Sequence, residues 1–181
     1  MARVGFVPAS DLPANVARIY EQYGTGYGQF RNQVAVFAHV PSAVVHLMGL
    51  LMELKAQGNV ASRYIELAIV TVSKLNQCHY CVGHHMQPLI AQGISSETIA
   101  LLPEYENNPG LDAAGKLVAE YAIAVTENAQ RIPGRLFGAL REHFSEAQIV
   151  ELTMRIALAG FFNRFNDALQ IDDELGEEVK A

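Results

Sequence analysis

Residues 61–92 read ASRYIELAIVTVSKLNQCHYCVGHHMQPLIAQ, and this stretch decides the fold. Apolar side chains recur at helical spacing from Ala61 to Leu75 and again from Cys78 to Gln92, without the strict alternation of a half-buried strand. Asn76-Gln77 reads as a break and cap between the two segments, and Gly93 reads as a C-cap. The expectation is an antiparallel helical hairpin with its bend at Asn76-Gln77.

The same periodicity extends outward in both directions. Upstream, Asp11 before Leu12-Pro13 reads as an N-cap with proline in the first turn of a helix running to about Tyr23. That helix stops in the glycine-rich run Gly24 to Gly28, which lacks a phosphate-loop lysine. Gln33 to Val40 is a short apolar stretch ended by Pro41; Val34 to Val40 alone would also suit a strand. Ser42 to Gln57 is amphipathic and terminated by Gly58. Its stripe of Leu47, Met48, Leu50, Leu51, Met52 and Leu54 suits core packing or an oligomer seam, given the positive mean hydropathy.

Downstream, a short helix begins near Ser95, Pro103 to Gly110 is a linker, and helices follow at Asp112–Gln130 and Gly134–Phe144. A last long helix starts at Ser145, where Ser145 and Gln148 have capping-box spacing. The fold class is all-α, one domain over residues 1–181, with a tail at 172–181 expected to fray. Ile65-Glu66-Leu67 and Val150-Glu151-Leu152 echo one another, which suggests two related helical lobes. In the second, Asn163 and Asn166 would stand opposite Cys78 and Cys81.

Composition excludes several functions. The 181 residues are 50% hydrophobic and 18% charged, far from the make-up of a disordered chain. A net charge of -6 argues against nucleic acid and against polybasic membrane attachment, since both need a basic face. No apolar window is long enough to span a bilayer, and the window Ile149 to Phe162 contains Glu151 and Arg155. The N-terminal residues lack a signal-peptide core, so a cytoplasmic protein is expected. Two cysteines three positions apart cannot make a disulfide framework and point to redox or metal chemistry in a reducing compartment.

Those cysteines lie in the densest cluster of reactive side chains: Glu66, Cys78, His79, Tyr80, Cys81, His84 and His85. With Cys78 in the first turn of its helix, Cys81 falls roughly 60° and His85 roughly 20° from it, so both thiols and His85 share a face. His84 lies roughly 120° away and His79 roughly 100° on the other side. Across the hairpin, the residue opposite Glu66 is near position 87, within about 3 Å of the level of His85. A relay from Glu66 to His85 to Cys81 follows, in which the carboxylate orients the imidazole and the imidazole takes the thiol proton.

Thiol acidification alone is a weak device. Lowering a cysteine from about 8.5 to about 6.5 raises its thiolate fraction at pH 7 from roughly 3% to roughly 75%. Falling nucleophilicity removes most of that, leaving a gain of about threefold, so the rest must come from alignment and from proton delivery to the leaving oxygen. Which sulfur attacks is open at this level: the helix N-terminus favours Cys78, and the histidine one turn on favours Cys81.

The spacing Glu-x11-Cys-x2-Cys-x3-His, here Glu66, Cys78, Cys81 and His85, resembles the alkylhydroperoxidase D motif of the carboxymuconolactone decarboxylase-like superfamily, in particular its peroxidase-related branch. The resemblance implies the all-helical alkylhydroperoxidase D-like fold. It also implies that peroxide oxidises Cys81 to a sulfenic acid, that Cys78 resolves it as a disulfide, and that His85 and Glu66 form the proton relay. No cofactor is required; the implied partners are a hydroperoxide, a lipoyl- or thioredoxin-type dithiol reductant, and further copies of the chain in a trimer or hexamer. The chain departs from the type at one position, with Tyr80 where a histidine precedes the second cysteine.

Rival readings of the same residues are an inert buried cysteine pair, a zinc site for which one helix offers only three of four ligands, and a redox-sensing oligomer in which a Cys78–Cys81 disulfide alters an interface. Decarboxylation of a lactone acid, as in the superfamily's namesake, would proceed without the thiols.

Overall fold

The computed structural model describes residues 2–175. Among these, every regular element is helical: α1 (Ala14–Glu21), α2 (Arg31–Phe37), α3 (Pro41–Ala43), α4 (Gly49–Gln57), α5 (Ser62–Leu75), α6 (His79–Ala91), α7 (Ser96–Leu101), α8 (Ala113–Asn128), α9 (Gly134–His143) and α10 (Glu146–Leu169). No helix among the described residues is long and apolar enough to cross a membrane. The chain forms two compact units, one of residues 1–58 and 165–181, the other of residues 59–164.

The second unit holds the cysteine hairpin. Its core gathers Leu67, Ala68, Val70 and Val72 of α5, Val118 and Ala122 of α8, Leu136 and Leu140 of α9, and Leu152 and Ile156 of α10, all at most 1% exposed. Each fully buried aliphatic side chain of this kind contributes about 1.5–3 kcal/mol. On α10 the stripe Ile149, Leu152, Ile156, Ala159 repeats at three and four residues, which turns one face inward.

Local chemistry sets the helix ends. Asp112 caps α8 by accepting from the backbone N–H of Gly115 at 2.7 Å. Ser95 caps α7 by accepting from the N–H of Thr98 at 3.2 Å. The capping box of α10 forms as the sequence predicts: the Ser145 N–H donates to Gln148 Oε1 at 2.9 Å, and the Gln148 N–H donates to Ser145 Oγ at 3.3 Å. Gly58 and Gly93 end α4 and α6 with φ of 61° and 87°, the left-handed conformation that favours glycine.

In the first unit, three expectations are corrected. Asp11 does not cap α1; Ala9–Asp11 is a short 3-10 turn, and α1 begins after Pro13, whose ring pre-sets the helical entry. The glycine run does not stop the helix at once, because Gln22–Tyr27 continues it as a wider π-helical turn on which Tyr23, Tyr27 and Phe30 cluster their rings. Residues 34–37 lie in a helix and not in a strand, with Val34 wholly buried. Here Tyr23 Oη donates to Gln33 Oε1 and Gln33 Nε2 donates to Asn166 Oδ1, both at 3.0 Å.

The expected fraying from residue 172 is also corrected in part. Asn32 Nδ2 donates to the Asp172 carbonyl at 2.8 Å, and the Asn32 N–H donates to Glu174 Oε1 at 3.0 Å, so this stretch is tied to α2. The rest of the tail, residues 176–181, lies outside the described residues. The pairing of two related lobes is not seen either: α10 runs unbroken through Asn163 and Asn166, where the echo would require a hairpin bend.

The bend itself forms where the sequence places it, by a mechanism the sequence does not advertise. Cys78 N–H donates to the Ser73 carbonyl at 2.9 Å and Gln77 N–H to the Lys74 carbonyl at 3.2 Å, the paired bonds of a Schellman cap. That cap puts Gln77 at φ 57°, where a side chain is disfavoured. Gln77 is exposed, so Gln77→Gly removes strain without opening the core. We expect the variant to be more stable by about 0.5–1 kcal/mol, read as a raised urea midpoint at unchanged slope.

Candidate active site

All four residues of the motif lie in the second unit, on the α5–α6 hairpin. Glu66 sits one turn into α5 and His85 midway along α6, and the antiparallel packing brings them into register. His85 Nδ1 and Glu66 Oε2 are 2.7 Å apart, a charge-assisted hydrogen bond. Their side chains are only 13% and 16% exposed, so Glu66 is not the solvated carboxylate that a lone acidic residue on a helix usually is.

Burial on its own pushes the His85 imidazole down. The Glu66 carboxylate, through its charge and its hydrogen bond, and the Cys81 thiol together outweigh that and hold His85 above the ordinary histidine value; the Arg155 cation pulls it back. The influence of Cys81 on His85 fits their spacing, four residues apart on one face of α6. The expected relay geometry is therefore assembled at its Glu66–His85 link, with Cys81 close enough to act on the imidazole.

One part of the sequence reading changes. Cys78 is not in the first helical turn; it is the N-cap of α6, with extended φ and ψ of -84° and 96°. The cause is the Schellman cap, which uses the Cys78 N–H to close α5 and delays the start of α6 to His79. Its carbonyl still accepts the first bond of α6, from the Val82 N–H at 3.1 Å. Both sulfurs are free thiols and buried, Cys78 completely and Cys81 to 4% exposure. His79 is exposed and His84 is buried with its ring stacked on Tyr80 at 4.2 Å. Neither shares the Glu66 bond. Among the described residues no group of three or more His, Cys, Asp or Glu side chains is gathered for a metal ion.

Sequence reasoning missed two sets of residues on α10. Asn163 Nδ2 donates to Ser73 Oγ at 3.1 Å and Asn163 Oδ1 accepts from Asn76 Nδ2 at 2.9 Å, so this buried amide clamps the turn that leads into Cys78. Glu151 and Arg155 form a buried ion pair at 3.6 Å one turn apart. The available signal was their position: two opposite charges inside an otherwise apolar stripe.

Residues 40–105 match the carboxymuconolactone decarboxylase family, a segment that contains Glu66, Cys78, Cys81 and His85. The same fold, at a TM-score of 0.81 over 99% of this chain and 94% of the other, occurs in an alkylhydroperoxidase AhpD core, an uncharacterized peroxidase-related protein from Ralstonia eutropha that is 19% identical. The chain belongs to the alkylhydroperoxidase D/carboxymuconolactone decarboxylase superfamily. Within the superfamily, the uncharacterized protein YdfG of Bacillus subtilis is 27% identical over 105 residues, which is 58% of this chain and 71% of that protein. The debrominase Bmp8, solved with 2,3,4-tribromopyrrole, shares the superfamily fold at a TM-score of 0.74 and 20% identity over 94% of this chain and 91% of that one.

The imidazole gives a direct test of the site. In Glu66→Gln the upward influence on His85 is lost and burial dominates, so its titration midpoint, followed by proton NMR, is expected to fall from above about 6.5 to below it. The sign for stability follows. A raised histidine contributes stability that is fully present below about pH 6.5 and lost as pH rises through the folded value. The stability difference between the native chain and Glu66→Gln, measured by urea unfolding, should therefore be larger at pH 6 than at pH 9.

Proposed function

We propose that the protein is a thiol-dependent hydroperoxide reductase. The observation that carries this reading is the buried 2.7 Å bond between Glu66 and His85, with the Cys81 thiol acting on the same imidazole. A carboxylate-backed imidazole one helical turn from a cysteine is the arrangement that activates a sulfur nucleophile and then returns its proton.

In the reaction, His85 takes the Cys81 proton, and the Cys81 thiolate attacks the terminal oxygen of the hydroperoxide. The S–O bond forms as the O–O bond breaks; the departing alkoxide receives the proton from His85 and leaves as an alcohol. The Cys81 sulfenic acid is then attacked by the Cys78 sulfur, giving a Cys78–Cys81 disulfide and water. A dithiol of the lipoyl or thioredoxin class returns both cysteines to thiols by exchange. The peroxide gains two electrons in the first half, and the dithiol supplies them in the second. Glu66 holds the tautomer and orientation of His85 and supports its charge while it carries the proton. The N-terminus of α6 at Cys78 favours negative charge on that sulfur when exchange begins.

The test is peroxide loss with lipoyl and thioredoxin-type donors side by side. Cys81→Ser should lower turnover by at least about a hundredfold. Cys78→Ser should consume about one equivalent of peroxide and leave a sulfenic acid on Cys81 that dimedone traps. His85→Gln should slow sulfenic acid formation at unchanged thiol count. Full turnover in Cys81→Ser, or a lactone-acid decarboxylation that survives loss of both thiols, overturns the proposal. Oxidation that changes oligomer size without any turnover would favour the redox-sensing reading in its place.

A further inference from the structure

Three cross-helix hydrogen bonds fix how α10 lies against α5. Near the start of both, Gln148 Nε2 donates to the Asn59 carbonyl at 2.7 Å across 89 residues of sequence. Near the end of α5, Asn163 bonds Ser73 across 90 residues and Asn76 across 87. Both helices therefore run in the same direction in a nearly constant register. Arg155 lies 89 residues beyond Glu66, so this register places the two level with each other, within about one residue rise of 1.5 Å.

Arg155 is 4% exposed, and Glu151, one turn earlier on α10, holds it by the 3.6 Å ion pair. Buried arginine is costly unless its charge has a use or a partner, and a charge pair could be replaced by apolar side chains without loss of stability. Its position supplies the use. The charged groups acting on His85 come from three helices: Glu66 from α5, Cys81 from its own helix α6, and Arg155 from α10, with Glu151 behind it. Glu66 and Cys81 both favour the imidazolium, and a histidine bound too firmly to its proton is a poor general acid. Arg155 is the opposing charge.

We propose that Arg155, held by Glu151, is a positioning residue that acts on the reaction through His85: its buried positive charge opposes the imidazolium and makes His85 release its proton to the leaving oxygen. This rests on the thiol-peroxidase reading above.

The variants are Arg155→Met, Arg155→Lys, and the double change Glu151→Met with Arg155→Met. The double change leaves no unpaired buried carboxylate, so it folds where the single one does not. Two readouts are followed in each: the NMR titration of His85, and the pH profile of kcat/KM for peroxide. Removing the arginine charge should raise the His85 midpoint by about one pH unit and displace the alkaline limb upward with it. The value of kcat should fall about three- to tenfold while KM holds, because the imidazolium has become a weaker acid. Arg155→Lys should restore both midpoint and limb. Loss of activity with an unmoved midpoint and limb, and no rescue by lysine, means a structural role and overturns the inference while leaving the peroxidase reading intact. A displaced midpoint in a chain that turns over no peroxide overturns the peroxidase reading and the part of Arg155 in proton release, with the action of Arg155 on His85 standing.

Discussion

One hydrogen bond, from His85 on α6 to Glu66 on α5, organises the rest of the site. It requires two helices to run antiparallel with their bend at residues 76–77, and it requires both partners to be screened from water. In bulk solvent a carboxylate and an imidazole gain little from one another; in a recess where each is less than a fifth exposed, the pair polarises strongly and fixes which ring nitrogen carries hydrogen. The turn, the apolar wall of α5 and the clamp from Asn163 can all be read as conditions for that one contact.

The second condition is electrostatic balance. Glu66 and Glu151 place two carboxylates in one helical unit, and a thiolate at Cys81 would add a third negative charge. Arg155 and a protonated His85 answer these in number. A buried array of this kind is tolerable only as a set, since removing any one member leaves another uncompensated. The sequence feature behind it is plain in retrospect: α10 interrupts its apolar stripe only where its neighbour α5 does.

Much of this was legible in the sequence. The hairpin was, because apolar spacing and the Asn76-Gln77 break are local; so was the Glu66–His85 register, because helical rise is constant. The start of α6 was not, since a Schellman cap closed by Gln77 in a left-handed conformation lacks the glycine that usually announces it. The π-helical turns after Glu21 and before Gly49 carry no local sign either. Arg155 and Asn163 escaped because their contacts span close to ninety positions, and only the packing of α10 on α5 brings those positions together. The echo between Glu66 and Glu151 pointed to the right helix for the wrong reason, as neighbours in space and not as copies.

Both sulfurs sit almost entirely out of the solvent's reach, and that has a bearing on what the protein will encounter in a crowded milieu. A slim oxidant reaches them far more readily than a bulky electrophile, and a folded donor protein has no outward thiol to grip. Throughput then depends on brief local breathing of the first turn of α6 as well as on sulfur chemistry, so selectivity by size is built in before any substrate is bound.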